Sequence, residues 1–467
     1  MHCLWAMRTL LALGLIACGS TPPVSTTATV VMEQVVVMEV IPADAESVAA
    51  AAPSPSSEIS PYPEDIRSVL VLRTTVLHKE PSFESAAVGV IKRGTYAGVR
   101  DTAIGDSDCP KGRWIELAPR GWACESALEP SGAVPTAPSQ VSLTDEVEPE
   151  PIRATYGIVR GANVEAFTSR ADAQAKTNGR VLAGSNTVRA AGVIDVDGRR
   201  YWRTSKGDLI DQASIRRISP SSFKGVALGD SAALPAWVRS SKGSRESVTI
   251  RATASGRANS AGTLAPRAVV TILEQSEDGS FVRIADGQWV ARADLRMATL
   301  AAPPPGTQPD EKWFDIDRDQ QVLVAYEGER PVYATLVSTG KYRHETPTGI
   351  TRVVSKHASA TMTSEKNEIY SVADVPWTMY FDRDFALHTS FWHDGFGGPR
   401  SHGCVNLAPR DALLLYRWSS PDVPPGWTSV YGDETSPGSL VRVRTTKVPN
   451  PRFRGYARAI VGSVSAS

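Results

Sequence analysis

The stretch His388–Leu407 reads HTSFWHDGFGGPRSHGCVNL and places three histidines ahead of a single cysteine, Cys404. A cysteine nucleophile needs a base, because a free thiol with a pKa of about 8.5 is mostly protonated at neutral pH and only the thiolate attacks. Gly403 lets the backbone turn sharply beside the sulfur, so that consecutive N–H groups can face a developing oxyanion. The pattern predicts Cys404 as the nucleophile and either His388 or His402 as its base.

The spacing of the two histidines does not decide between them. His402 lies two residues from Cys404, so in an extended segment both side chains share one face. His388 ends the apolar run Phe385-Ala-Leu and can reach the sulfur from a neighbouring strand. The identity of the base therefore stays open on the residues alone.

The motif around the cysteine resembles the signature of a known family. Ser401-His402-Gly403-Cys404-Val405-Asn406, with His388 upstream, is similar to the signature of the L,D-transpeptidases, whose catalytic domain is of the YkuD type. Further matches follow the family's order: Ser338-Thr339-Gly340, Thr346-Pro347-Thr348-Gly349, Val375-Pro376-Trp377 and Phe381. The resemblance runs from about Trp313 to Arg444 and implies a cysteine acyltransferase that acts on peptidoglycan stem peptides.

The resemblance also implies roles for the residues of the motif. His388 is the base, with its other ring nitrogen held by the backbone carbonyl of Thr389. His402 shapes the pocket, and the N–H groups of Gly403 and Cys404 form the oxyanion hole. The implied catalytic residues are Cys404 (nucleophile), His388 (proton donor and acceptor), His402, Gly403 and Ser401.

Four residues are expected to bind substrate. Asn406 ties the turn or binds a substrate amide. Trp377, Tyr380 and Trp392 are aromatic residues that either cover the substrate or belong to the core. His393 has no family role and is assigned to the surface or to a lid.

The reaction implied by the resemblance is acyl transfer in two steps. The thiolate attacks the carbonyl at the L-configured centre of diaminopimelate in a donor tetrapeptide and releases the terminal D-alanine. The side-chain amine of another stem then takes the acyl group and forms a 3→3 cross-link. Water as the acceptor would give an L,D-carboxypeptidase, and a protein amine would give an enzyme that attaches proteins to the wall. No cofactor is implied.

The same residues allow three other interpretations. A metal site could use the histidines and Cys404, but no Cys-x-x-Cys or His-Glu-x-x-His motif accompanies them, so no metal is predicted. The cysteine peptidase class that also occurs with SH3-like modules has its histidine after the cysteine, whereas the last histidine here is His402. A non-catalytic wall-binding lipoprotein with a decayed domain is the remaining alternative, although every motif position is intact.

The sequence of the C-terminal domain, residues 312–446, predicts a mostly β structure. Gln321–Tyr326 and Val332–Val337 alternate around a turn and predict a hairpin. Pro409–Trp418 has proline early and an apolar face, which predicts a helix. Ser439–Arg444 predicts a closing strand. A β-rich domain with short helices fits the fold that the resemblance implies.

A pattern of short alternating strands ending in an aromatic-led strand and a glycine hairpin recurs three times ahead of this domain. The three copies, named here the first, second and third β modules, resemble bacterial SH3-like domains and are expected to be small β-barrels. They either bind cell-wall glycan or peptide, or act as spacers. The predicted organisation is a signal peptide (1–17), a disordered tether (18–63), the first module (64–130), a linker (131–152), the second module (153–220), the third module (234–299), a linker (300–311), the C-terminal domain (312–446) and a tail (447–467).

The amino-terminal residues predict export. A short apolar run follows Arg8, and Leu15-Ile16-Ala17-Cys18 resembles a bacterial lipobox, which implies cleavage before Cys18 and lipidation of its thiol. Gly19 favours the outer membrane of a two-membrane cell. The alternative is an ordinary signal peptide with a chance cysteine. We therefore expect a periplasm-facing lipoprotein that contacts the membrane only through its lipid.

The cysteines agree with a periplasmic location, and the balance of charge bears on the partners. A disulfide between Cys109 and Cys124 suits an oxidising periplasm, the alternative being two buried thiols, and Cys404 is left unpaired. Fifty basic residues balance fifty acidic ones, so no nucleic-acid partner held by a basic patch is predicted. The predicted partners are stem peptides, the membrane and, for the modules, glycan.

Overall fold

The computed structural model of the chain describes residues 62–63, 65–104, 109, 112–137, 143, 150–229, 233–239, 247–364 and 370–464. The predicted signal peptide, the lipidation site Cys18 and nearly all of the tether lie outside these residues. In the described part, strands far outnumber helices, in agreement with a mostly β chain. None of the described helices is long and apolar enough to cross a membrane.

The first module contains eight short strands: β1 (Ser68–Val71), β2 (Thr75–His78), β3 (Ala87–Ile91), β4 (Tyr96–Ala97), β5 (Val99–Ile104), β6 (Arg113–Leu117), β7 (Trp122–Cys124) and β8 (Leu128–Ser131). β1 lies between β4 and β8, and the remaining strands pair antiparallel around an apolar core. A disulfide joins Cys109 and Cys124 beside the buried Trp114. Two cysteines fifteen positions apart are thus linked across the end of this small module.

The second module contains β9 (Tyr156–Val159), β10 (Glu165–Phe167), α1 (Arg170–Ala175), β11 (Arg180–Val181), β12 (Ser185–Val196), β13 (Arg199–Thr204), β14 (Leu209–Asp211) and β15 (Ile215–Arg217). Helix α1 was not expected from the sequence. Its N-cap is Ser169, whose side chain accepts a hydrogen bond from the Asp172 N–H, as short polar residues do at helix starts. A single strand, β16 (Val226–Ala227), follows the module.

The third module contains β17 (Pro235–Val238), β18 (Val248–Arg251), β19 (Ser260–Leu264), β20 (Val269–Thr271), β21 (Glu274–Gln275), β22 (Phe281–Ala285), β23 (Gln288–Ala291) and β24 (Leu295–Met297). All three modules end alike, in a strand, one 3-10 turn and a last strand. The turns are Glu125–Ala127, Gln212–Ser214 and Arg292–Asp294. The described strands of the modules form open sheets and do not close into a barrel.

The C-terminal part contains β25 (Lys312–Asp317), β26 (Val322–Glu327), β27 (Arg330–Leu336), β28 (Gly349–Arg352), β29 (Ser355–Ser364), β30 (Tyr370–Asp382), β31 (Phe385–Thr389), β32 (Val405–Leu407), α2 (Pro409–Trp418), β33 (Trp427–Tyr431), β34 (Leu440–Arg444) and α3 (Gly455–Val464). One sheet has the order β16-β27-β26-β25-β34-β28, and β29 to β32 pair consecutively in another. Residues of both sheets and of α2 share one buried core. Helix α2 has the predicted bounds, with Pro409 in its first turn, where a missing N–H costs nothing.

Two of the modules pair directly with the C-terminal domain. β3 of the first module pairs with β33, and β12 of the second pairs with β30. Strand β16, between the second and third modules, pairs with β27. Trp427 and Val430 of β33 also belong to the apolar core of the first module. Strands of the C-terminal domain therefore extend the sheets of the first and second modules, whereas the described strands of the third module pair only with one another.

Two segments predicted as linker and tail have structured parts. The backbone oxygen of Ala302, in the predicted linker 300–311, accepts a 2.9 Å hydrogen bond from Arg442. The Ala301 N–H donates to the Tyr326 hydroxyl at 3.1 Å. Helix α3 lies in the predicted tail and buries Ala457 completely. Apolar residues in both segments pack against the domain, which composition alone does not reveal.

Candidate active site

The candidate nucleophile lies at the start of β32, beside β31. The two strands are parallel, with Leu387 opposite Val405 and His388 opposite Asn406. Side chains alternate between the faces of a sheet, and residues in register share a face. Asn406, two residues after Cys404, therefore lies on the same face as His388. This register places the cysteine motif beside the strand that carries the histidine that the family resemblance favours.

The Cys404 thiol is half-buried and held by the backbone of β31 and the residue before it. It donates to the carbonyl oxygen of Asp384 at 3.7 Å, and the Ala386 N–H points to the sulfur. Burial raises the pKa of the Cys404 thiol to about 11; the Ala386 N–H opposes this rise and the Asp384 charge adds to it. The thiol is consequently protonated at neutral pH.

His388 is almost fully buried and carries no charge at neutral pH. Its Nδ1–H donates to the carbonyl oxygen of Thr389 at 2.9 Å, so Nε2 is the free, basic nitrogen of the neutral ring. Burial lowers the pKa of His388 to about 4, against the opposite effect of the Thr389 hydrogen bond. Trp392 stacks on the ring with centroids 5.8 Å apart. The free protein thus holds a neutral thiol and a neutral imidazole, and the proton must move as the sulfur attacks.

The turn before the cysteine is closed by its own hydrogen bonds. Ser401 Oγ donates to the Cys404 carbonyl oxygen at 2.5 Å and accepts from the Gly403 N–H at 3.1 Å. Gly403 has φ +124°, and a β-carbon there would lie 2.3 Å from the Phe385 ring. Only glycine fits this position. The Gly403 N–H, expected to face an oxyanion, is engaged by Ser401 here and would have to leave that partner to bind one.

The matched motifs upstream of the site support the cysteine strand. Ser338 and Asn406 exchange backbone hydrogen bonds of 3.0 and 2.9 Å. The Gly340 N–H donates to Thr346 Oγ1 at 3.0 Å, and that hydroxyl lies 3.5 Å from the Cys404 carbonyl oxygen. The residues that carry the family resemblance outside the cysteine motif therefore act as a backbone frame.

His393, which the sequence left without a role, is part of the site. Its Nε2 lies 2.9 Å from the Asn406 side-chain amide, and its Nδ1 accepts from the Gly395 N–H at 3.2 Å. Burial, followed by the charges of Arg400 and His388, lowers the pKa of His393 to about 3. The buried Asn406 Oδ1 has no hydrogen-bond partner among the described residues. Only the position of His393 between His388 and the cysteine motif could have suggested this contact.

Aromatic rings pack around His402, two residues before the cysteine. His402 stacks on Tyr370 and meets His344 edge-on, with centroids 5.1 and 4.9 Å apart. The pKa of Tyr380 is raised by burial and then by the charge of Cys404, which places the phenol within electrostatic reach of the thiol. Trp377 is half-buried against the core and has φ +53°. Of the predicted aromatic residues, Trp392 and Tyr380 thus lie at the site and Trp377 packs on the core.

No set of three His, Cys, Asp or Glu side chains among the described residues is arranged to hold a metal ion. The site can perform nucleophilic chemistry with its own side chains, because it contains a thiol, a neutral imidazole with a free Nε2, and backbone N–H groups beside the sulfur.

Comparison with known proteins finds a family match in this domain. Residues 311–443 match the family model described as the L,D-transpeptidase catalytic domain, YkuD. The chain therefore contains a domain of this type at these residues. None of the curated proteins matches the chain.

Several solved structures are similar to part of the chain. An L,D-transpeptidase from Stackebrandtia nassauensis is 24% identical over 31% of this chain and 58% of its own, with a TM-score of 0.22. An L,D-transpeptidase from Xylanimonas cellulosilytica is 26% identical over 31% of this chain and 65% of its own, with a TM-score of 0.22. The catalytic domain of the E. faecium L,D-transpeptidase is 23% identical over 29% of this chain and 98% of its own, with a TM-score of 0.23. The chain spans less than two thirds of the first two proteins.

Proposed function

We propose that this chain is a peptidoglycan L,D-transpeptidase in which Cys404 is the nucleophile and His388 its base. The parallel register of β31 and β32 supports the proposal, because His388 is paired with Asn406, two residues after Cys404. The hydrogen bond from His388 Nδ1–H to the Thr389 carbonyl leaves Nε2 free to accept the thiol proton. The match of residues 311–443 to the family model supports the substrate class.

In the first step, the Cys404 S–H proton passes to His388 Nε2 while the sulfur attacks the carbonyl carbon at the L-centre of the donor stem. The tetrahedral intermediate collapses, its C–N bond to D-alanine breaks, and the His388 proton leaves with the amine. In the second step, a side-chain amine of another stem attacks the thioester carbonyl, its proton goes to His388, and the thiolate departs and is reprotonated. The product is a 3→3 cross-link.

The neighbouring groups have supporting roles in this proposal. The Cys404 N–H stabilises the oxyanion, joined by the Gly403 N–H when it leaves Ser401. Asn406 offers its unpartnered Oδ1 to a substrate amide. His402 and Tyr380 shape the side of the cleft opposite His388.

The remaining parts of the chain deliver the domain to its substrate. We propose that the enzyme is exported and held at the outer membrane by a lipid on Cys18. The three β modules are proposed to be SH3-like and to place the domain at the wall, where their contact with glycan would add to substrate binding. Sedimentation of the intact chain with purified peptidoglycan sacculi, with and without the modules, measures that contribution.

The decisive experiment is mass analysis of the purified chain after exposure to a carbapenem, with peptide mapping of the adduct. The resemblance predicts acylation on the peptide that contains Cys404 and none in Cys404→Ala. Muropeptides then identify the acceptor: a 3→3 dimer supports transpeptidation, release of D-alanine without a dimer supports carboxypeptidation, and a linked protein supports attachment. Absence of an adduct in folded, reduced protein would contradict the enzymatic proposal and favour wall binding.

A further inference from the structure

The third β module contacts the segment between the catalytic histidine and the cysteine motif through a charged pair, and also through Arg296 Nε, which donates to the Gly397 carbonyl oxygen at 2.8 Å. Arg267 donates two hydrogen bonds of 2.6 Å to Asp394, one to each carboxylate oxygen. Such two-pronged pairs fix orientation as well as distance. The Ser221 hydroxyl is also bonded to Asp394. Burial alone would raise the pKa of Asp394, but the hydrogen bonds from Arg267 and Ser221 outweigh it and the pKa is lowered.

Arg267 itself is held in an unusual backbone conformation. Its φ is +63°, a region that L-residues other than glycine seldom adopt and that persists only where the surroundings enforce it. Its N–H donates to the Val238 carbonyl oxygen at 2.9 Å. The guanidinium lies 5.6 Å from the centre of the Phe223 ring.

The Phe223 ring connects Arg267 to a second residue of the segment between His388 and the cysteine motif. Phe223 stacks on Phe396, with centroids 6.0 Å apart and planes 22° from parallel. Phe396 is almost fully buried and belongs to the core beneath the site. The segment is thus held by Asp394 at one point and by Phe396 two residues later.

Asp394 is the residue next to His393, whose ring lies against the Asn406 amide. Asn406 is in register with His388. A displacement of Asp394 therefore moves a side chain that packs directly on the strand of the nucleophile. We propose that Arg267 is a positioning residue for the active site, acting through Asp394 on the segment that carries His393.

This inference rests on the proposed function, and it is tested in the full chain with Arg267→Ala and Arg267→Lys. Alanine and lysine are both L-residues at the same positive φ, so they differ in the side chain and not in backbone strain. The matched control is Arg283→Ala, which removes an arginine of the same module whose 2.7 Å partner, Glu274, lies in that module. Thermal unfolding establishes that each variant is folded.

Two measurements are made on every variant. Hydrogen exchange reports on the backbone of residues 389–400, where the Gly397 N–H is bonded to the Val337 carbonyl oxygen at 2.9 Å. The rate of Cys404 modification, by a carbapenem and separately by iodoacetamide, is followed by peptide mapping. We expect Arg267→Ala to speed exchange in this segment and to slow acylation about tenfold, because small displacements of reacting groups are costly. Arg267→Lys should fall between the parent and alanine, and Arg283→Ala should match the parent.

Exchange unchanged in Arg267→Ala would show that the pair does not hold the segment, and faster exchange with parental acylation would show that it does not position the site. Either result overturns the inference. If the parent chain is not acylated by the carbapenem, the proposed function fails instead. Exchange and the pH dependence of iodoacetamide modification then decide whether Arg267 still controls the segment and the environment of Cys404.

Discussion

The backbone of Gly89, in the first module, lies directly against the indole of Trp427 in the C-terminal domain. A β-carbon at Gly89 would fall 2.1 Å from Trp427 Cζ3, and the two strands are hydrogen-bonded neighbours. The contact joins a strand of the first module to one that follows the candidate active site in the chain.

Gly89→Ala should therefore disrupt the docking of the first module. The added methyl group overlaps a buried aromatic ring, and overpacking of this kind costs about 1–3 kcal/mol. Chemical denaturation with Trp fluorescence measures the loss. Gly98→Ala is the control, since its β-carbon would meet Ala118 Cβ at an ordinary 3.4 Å. Equal stability of the two variants would contradict the docking seen here.

Gly403→Ala should abolish acylation of Cys404 while leaving the chain folded. The new β-carbon would overlap the Phe385 ring, and φ +124° is strained for alanine, so the turn that presents the sulfur must shift. We expect a loss of about 100-fold or more in the acylation rate, measured by mass spectrometry. Gly398→Ala, at a position with nothing within 4 Å of the added carbon, should acylate like the parent. A Gly403→Ala rate within threefold of the parent, roughly, would rule out this role of the turn.

The pH dependence of acylation should identify the base. With the pKa of His388 near 4 and that of Cys404 near 11, the neutral pair predominates between these values, so the rate should be flat from about pH 5 to 9. His388→Gln has no base and reacts only through the thiolate. The acylation rate of this variant should increase about tenfold per pH unit. At pH 7 it should be about 10²–10⁴-fold lower than the rate of the parent. His402→Gln should keep the flat profile; a reversal of the two variants would make His402 the base.

Lys356 should make stability depend on pH. Its ammonium group is fully buried, donates to the carbonyl oxygens of Ser419 and Pro421 at 2.5 and 2.9 Å, and has its pKa lowered to about 7, chiefly by burial. The unfolded chain, with a lysine pKa near 10.4, binds more protons than the folded chain between these values, so stability rises with pH in that window.

Comparison with Lys356→Met isolates this contribution. Between pH 7 and 9 the free energy of unfolding of the parent should rise by about 2 kcal/mol relative to the variant. Lys206→Met, at an exposed position, should follow the parent at every pH. A constant difference between the parent and Lys356→Met across this range would show that Lys356 does not titrate there.

Local features of the chain were predictable where neighbouring residues decide them. Helix α2 has the predicted bounds because Pro409 and the apolar spacing act within a few turns. Helix α1 was missed because it is too short to show a clear period. The contact of His393 with Asn406 was missed because it joins residues whose approach depends on how two strands pair.

The sequence by itself determined the class of chemistry, since Cys404, Gly403 and the histidines before them lie in one short motif whose residue types specify a thiol nucleophile. It also determined the mostly β character and the threefold repetition of the modules, which follow from local alternation and turns. Only the tertiary structure decided which strands of the modules pair with the C-terminal domain, and that Arg267 meets Asp394. Those contacts join segments far apart in the chain, and no local pattern records which distant partner a strand edge or a charged side chain will find.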